Sequence, residues 1–178
     1  MLKPQETVLV LVDLQAKLVP AMHEREALIR SAVRLVRGAK ALEVPILHTE
    51  QNPAGLGPTV EEVACLLGAA PLTKKSFSCC GEKEFLDALQ PLGRRRVLLA
   101  GIEAHVCVYQ TGIDLLAAGY DVQVVSDVIA SRTPANRAVG LERMTAAGAS
   151  VTSVETALFE LLGRAEGPKF KEILSIVK

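Results

Sequence analysis

Residues 7–13 read Thr7-Val8-Leu9-Val10-Leu11-Val12-Asp13, an almost unbroken aliphatic run that ends on a carboxylate. An apolar run without polar alternation is what a strand covered on both faces requires, so it predicts a strand inside a parallel sheet. Residues 96–101, Arg-Val-Leu-Leu-Ala-Gly, have the same character and end on glycine. Working outward, further short runs predict strands at 44–47, 71–73, 122–126 and 150–154. Between them lie stretches with helical spacing. In 24–42 the apolar positions are Leu28, Ala32, Leu35, Val36 and Ala39. Helices are also predicted at 60–67, 82–89, 106–118, 134–147, 155–162 and 168–178. Gly119 and Gly148 stand in the usual position after a helix, and Pro134 stands at a helix start. The Gly- and Pro-rich stretch 51–59 reads as a surface loop. Strict alternation of strands and helices implies an α/β protein: a three-layer, Rossmann-like fold with a mainly parallel six-stranded sheet and helices on both faces. The 178 residues suit a single domain spanning 1–178.

Twenty basic residues balance twenty acidic ones. That balance argues against nucleic acid as the main partner, because phosphate binding calls for a basic excess. The N-terminal stretch meets Asp13 too early for a secretion signal, and no apolar run has the length of a membrane span. Four cysteines, Cys65, Cys79, Cys80 and Cys107, are therefore expected as thiols in a cytoplasmic chain, with Cys65 in the core.

In an open parallel sheet, ligands bind beyond the carboxyl ends of the strands. The reactive residues just past those ends are Asp13 after the first strand and His48, Glu50 and Gln51 after the second. Lys74 and Lys75 follow the third, and Glu103, His105 and Cys107 follow the strand ending at Gly101. A thiol attacks as thiolate. Cys107 at a helix start, near a lysine, is expected to have its proton affinity lowered, with a carboxylate in reach as base. Asp13, at the end of an apolar strand, is costly there unless paired. The plain alternatives are a small buried hydrophobe for Cys107, a turn cap for Asp13 and an exposed amine for either lysine.

The segments VLVLVDLQ, LTKKSFSC and GIEAHVCVYQT resemble the three blocks of the isochorismatase-like cysteine hydrolases, in order and at similar separations. HTEQNPAGLGPT looks like a loop of the isochorismatase-domain-containing subgroup, and Asp127 to Arg132 are similar to another family segment. The resemblance spans roughly 7–162. It implies Asp13 as base, Lys74 rather than Lys75 as the third catalytic residue, and Cys107 as nucleophile. It also implies a cis peptide between Ile102 and Glu103, with the Glu103 and Cys107 N–H groups forming an oxyanion hole. Gln15, Glu50, Gln51 and Phe77 are the expected pocket residues. The implied reaction is acyl transfer from a small-molecule amide, ester or carbamoyl group through a thioester, in a homo-oligomer (dimer or tetramer). The Asp-x-His…His metal pattern of the nicotinamidases is missing from 48–52, so no metal and no cofactor are expected.

Three other readings use the same residues. His105 is a rival Cys–His partner. A scaffold could keep the fold without catalysis, although a scaffold has no need of Asp, Lys and Cys together. A thiol redox sensor could pair Cys107 with Cys79 or Cys80, although no CxxC is present.

Overall fold

The two apolar runs become neighbours. Strand β1, Thr7–Val12, lies parallel to a strand at Arg96–Ile102, from Thr7 opposite Arg96 to Val12 opposite Gly101. In this computed structural model, which describes residues 1–178, the remaining elements follow in chain order. They are α1 (Arg25–Ala41), β2 (Ile46–Gln51), α2 (Pro53–Leu56), α3 (Glu61–Ala64), β3 (Leu72–Lys74) and α4 (Lys83–Leu89). Then come β4 (Arg96–Ile102), α5 (Cys107–Ala117), β5 (Asp121–Ala130), α6 (Pro134–Ala146), β6 (Ser150–Thr152), α7 (Val154–Leu162) and α8 (Gly167–Val177). The sheet is six-stranded, parallel throughout, in the order β3-β2-β1-β4-β5-β6. The chain builds outward from β1 to β3, then returns to lay β4 on the other side of β1. That reversal opens a crevice at the carboxyl ends of β1 and β4.

Strand periodicity divides the interior into two cores. Leu9, Leu11, Leu98, Ala100 and Ile102 face α1, α3, α7 and α8, where Leu28, Leu35, Val63, Leu158 and Ile173 meet them. Val8, Val10, Val12, Val97 and Leu99 face α4, α5 and α6, packing on Phe85, Leu89, Val108, Leu115 and Met144. At roughly 1.5–3 kcal/mol for each fully buried aliphatic side chain, both faces are strongly driven inward. No helix is long and apolar enough to cross a membrane.

Several boundaries differ from the sequence expectation. Strand β2 begins two residues later than Val44 and runs on through His48, Thr49 and Glu50, which pair with β1 and β3. Flanking strands supply hydrogen bonds that outweigh the polar side chains there. Strand β5 extends past Ser126 to Ala130, with an irregularity opposite Leu99 and Gly101 that absorbs Asp127. The loop 51–59 contains the short α2, and Thr59 bridges back to Gln15. The helix expected at 60–67 is only one turn, α3.

Candidate active site

Asp13 and Lys74 meet at the crevice. Asp13 leaves β1 with a left-handed φ of 52°, a conformation that Asp tolerates better than most residues. Lys74 closes β3, two strands away. Its Nζ lies 2.7 Å from Asp13 Oδ2, with both side chains at most 1% exposed. The ammonium also donates to Gln51 Oε1 (2.7 Å), Phe77 O (3.0 Å) and Ser76 O (3.2 Å). The ammonium thus sits among four oxygens, the Asp13 carboxylate and three neutral acceptors. Burial by itself lowers the proton affinity of the Lys74 amine. The Asp13 carboxylate, by its charge and its hydrogen bond, outweighs that, so the net shift is upward and Lys74 stays an ammonium. Lys75, one residue on, is exposed.

The other carboxylate oxygen is fixed by a residue that strand-end reasoning passed over. Thr49 Oγ1 donates to Asp13 Oδ1 at 2.8 Å, and the Thr49 carbonyl accepts the Asp13 N–H at 3.2 Å. Thr49 lies between His48 and Glu50 on β2, so period-2 alternation turns it toward Asp13 when they turn away. Glu82 is a second omission. Its Oε1 accepts from Lys75 N (2.8 Å), Ser76 N (2.9 Å) and Ser76 Oγ (2.8 Å). Those bonds, the Ser76 N–H first, pull its carboxyl down to about 2. They also shape the turn whose carbonyls grip Lys74.

Cys107 is the first residue of α5 and is buried. Val106 provides no side-chain cap; the Val108 N–H donates to Glu103 O at 3.2 Å, and the Cys107 N–H has no backbone partner. The Ile102–Glu103 peptide is cis, and the Glu103 N–H makes no backbone hydrogen bond. The Glu103 carboxylate is turned to Arg132, Oε2 to Nε 3.0 Å. The Cys107 thiol is pushed up to about 12, first by burial and then by the Asp13 charge, against the pull of Lys74. This corrects the expected lowering. Helix start and lysine are both present, but desolvation and the carboxylate dominate. Cys107 therefore rests as a thiol beside the Asp13–Lys74 ion pair.

Two glycines permit this approach. Gly101 has φ +120°, and a Cβ there would overlap the Val12 backbone, so β1 and β4 could not close at the crevice. Gly140 on α6 packs against the carbonyl of Ala104, where a Cβ would strike the 104–105 backbone.

A family model described as "Isochorismatase domain" matches residues 7–156. "Isochorismatase domain-containing protein 2" of Xenopus laevis is 42% identical, over 97% of this chain and 84% of that relative. The chain belongs to the isochorismatase family. Among solved structures, the "MAR1 Ribonuclease" of Caenorhabditis elegans is 36% identical with a TM-score of 0.93, covering 99% of this chain and 91% of that one. "YcaC from Pseudomonas aeruginosa with hexane-2,5-diol and covalent acrylamide" is 25% identical with a TM-score of 0.92, covering 98% and 90%. The architecture is that of the isochorismatase-family hydrolases.

Within this isochorismatase-family framework the outer residues take different roles from those expected. Gln15 is fully buried and spends its amide on the backbone. Its Nε2 donates to Gln51 O and Gly57 O, and its Oε1 accepts from Gln51 N. Glu50 Oε1 accepts from Thr59 N and Oγ1. Both hold the loop 51–59 rather than line a pocket, because backbone groups of that loop claim their polar atoms. His48 turns to the α1 side, beside Lys40, Val44 and Leu67, where burial lowers its proton affinity against the pull of Glu50. Gln51 holds Lys74 with Oε1 and Lys75 O with Nε2. Phe77 is 55% exposed. His105 Nδ1 pairs with Ser131 Oγ at 3.0 Å and is not among the groups acting on the Cys107 thiol, which disfavours a Cys–His pair. Cys65 is exposed rather than core, because α3 is too short to bury that face. All four cysteines are free thiols; burial pushes Cys79 up to about 11 and Cys80 up to about 12. No group of three or more His, Cys, Asp and Glu side chains is placed to hold a metal ion.

Proposed function

We propose that this chain is a cysteine hydrolase that opens a small amide, ester or carbamoyl substrate through a thioester on Cys107, with Asp13 as base and Lys74 as electrostatic partner. The observation that carries this reading is the fully buried Asp13–Lys74 pair acting on a thiol at an uncapped helix start. A buried ion pair gives little or no stability over apolar residues of the same volume, so a chemical role better accounts for it.

The steps conserve charge within the site. Asp13 Oδ2 takes the Cys107 proton, which turns a carboxylate–ammonium pair into a thiolate–ammonium pair. The thiolate attacks the carbonyl carbon. The Glu103 and Cys107 N–H groups receive the oxyanion, where one donor is worth roughly 3–4 kcal/mol of transition-state stabilisation. The tetrahedral intermediate collapses as Asp13 returns its proton to the leaving amine or alcohol. Water, deprotonated by Asp13, then attacks the thioester, releases the acid and restores the thiol. The Pseudomonas aeruginosa relative carries covalent acrylamide, an electrophile, which supports a reactive nucleophile on this fold. The balanced net charge supports a small molecule over RNA as substrate. Four unpaired thiols suit a cytoplasmic setting.

The test is a screen of small amides and esters with EDTA present throughout, read by product formation and by intact mass for a trapped acyl adduct. Cys107→Ala is expected to abolish turnover, by about 10⁴-fold or more, with an unchanged circular dichroism spectrum. Wild-type rates from that variant would overturn the mechanism.

A further inference from the structure

The proposed base does not stand alone on its outer side. Asp13 Oδ1 accepts the Thr49 hydroxyl proton at 2.8 Å. A hydroxyl has one proton, so with that proton committed to Asp13 its oxygen acts toward its other neighbour as an acceptor. That neighbour is Cys79, whose sulfur lies 3.8 Å from Thr49 Oγ1. Cys79 is fixed in turn, its N–H donating to Thr49's counterpart on α5, Thr111 Oγ1, at 3.0 Å. Asp13, Thr111 and Cys79 are completely buried and Thr49 nearly so. The polarity of the row is thereby settled: Cys79 S–H to Thr49 O–H to Asp13 carboxylate. Burial keeps the Cys79 thiol protonated, which leaves it a donor.

We infer that Thr49, backed by Cys79, is a positioning residue that keeps Asp13 ionised and directs Oδ2 toward Cys107. This rests on the cysteine hydrolase reading and extends it to residues outside the proposed triad. A buried carboxylate is prone to pick up a proton from solvent, which would remove it as a base. The titratable groups facing this point are the Lys74 ammonium from β3 and two neutral thiols, Cys107 from α5 and Cys79 from the turn Cys79–Gly81. Lys74 shares its ammonium among Asp13 Oδ2, Gln51, Ser76 and Phe77, and not Oδ1. Thr49 supplies the hydrogen bond to the other carboxylate oxygen, Oδ1, and such bonds favour the charged form. It also blocks Oδ1 as a landing place for the Cys107 proton. Cys79 restrains the hydroxyl rotor, a weaker contribution because S–H is a weak donor.

The test needs no substrate. Alkylation of Cys107 by iodoacetamide is followed by peptide mass mapping from about pH 4 to about pH 10, which separates Cys107 from the exposed Cys65. The acid limb of that profile belongs to the Asp13–Cys107 pair and marks uptake of a second proton. Thr49→Val keeps the shape and removes the hydroxyl, and its acid limb is expected to move up by about one pH unit, a tenfold change in proton affinity. Thr49→Ser is expected to restore the wild-type limb. Cys79→Ala is expected to shift it in the same direction by a smaller amount, and Cys79→Ser to leave it in place. Coincident limbs for Thr49→Val and wild type would overturn the assignment, as would a lower plateau with an unmoved limb, the mark of a merely structural role. A wild-type Cys107 that resists alkylation at every pH would overturn the nucleophile reading and this one with it. A reactive Cys107 with an unmoved limb overturns this one alone.

Discussion

At the residue scale, the environment of Lys74 decides what its charge can do. Its amine is buried against Asp13, and neither group has water to fall back on. Removing one member of such a pair strands the other, at a cost of about 3–5 kcal/mol. Lys74→Met, of similar length and without charge, is therefore expected to destabilise the fold by about that amount, read from urea unfolding at neutral pH. Asp13→Asn in the same chain is expected to recover most of the loss. Asn accommodates the left-handed φ of residue 13 and can still accept from Thr49. Cys107 reactivity would stay lost in the double variant, since both the base and the cation are gone. A double variant as unstable as Lys74→Met would show that packing, not charge, holds this corner together.

At the element scale, short irregular segments rather than the long helices bring the reactive groups together. The turn from Lys75 to Phe77 is ordered by one carboxylate, Glu82, which collects three hydrogen bonds on Oε1. Those bonds hold its carboxyl near 2, below the ordinary glutamate value. A depressed carboxylate contributes stability that is fully present above its unfolded pKa of about 4.3 and is lost as pH falls toward the folded value. The unfolding-temperature advantage of wild type over Glu82→Gln is accordingly expected to hold from neutral pH to about pH 5 and to shrink steadily toward about pH 2. Equal pH dependence of the two proteins would show that the turn is ordered by other contacts. Gly140 acts at the same scale, because α6 can press on the 104–105 backbone only where no Cβ intervenes.

At the scale of the whole molecule, the strand order creates the crevice, and the surface leaves Phe77, Val139 and Val151 substantially exposed. The expectation of a homo-oligomer is checked by sedimentation equilibrium, with a dimer or tetramer mass expected and a monomer at micromolar concentration overturning it. Much of this protein was legible in its sequence. The apolar runs at 7–12 and 96–101 fixed the buried parallel strands, because only a strand covered on both faces is apolar at every position. The reactive residues past the strand ends followed from the same pattern, and the three quoted blocks named Asp13, Lys74 and Cys107 among them. Other features were decided only by tertiary structure. Thr49 lies unmarked beyond the strand expected at 44–47 until β2 runs on through it, pairs with β1 and brings its hydroxyl to Asp13. Gln15 and Glu50 read as pocket residues until the loop 51–59 folds over and claims their polar atoms. The state of the Cys107 proton belongs to the same class. Sequence places a thiol at a helix start beside a lysine, which favours the thiolate. Folding also removes water and sets a carboxylate against the sulfur, and these two effects are larger. Periodicity and residue type are local properties, carried by each short segment of chain. Desolvation and the pairing of polar atoms depend on groups distant in sequence, and take their values only when the chain has closed around them.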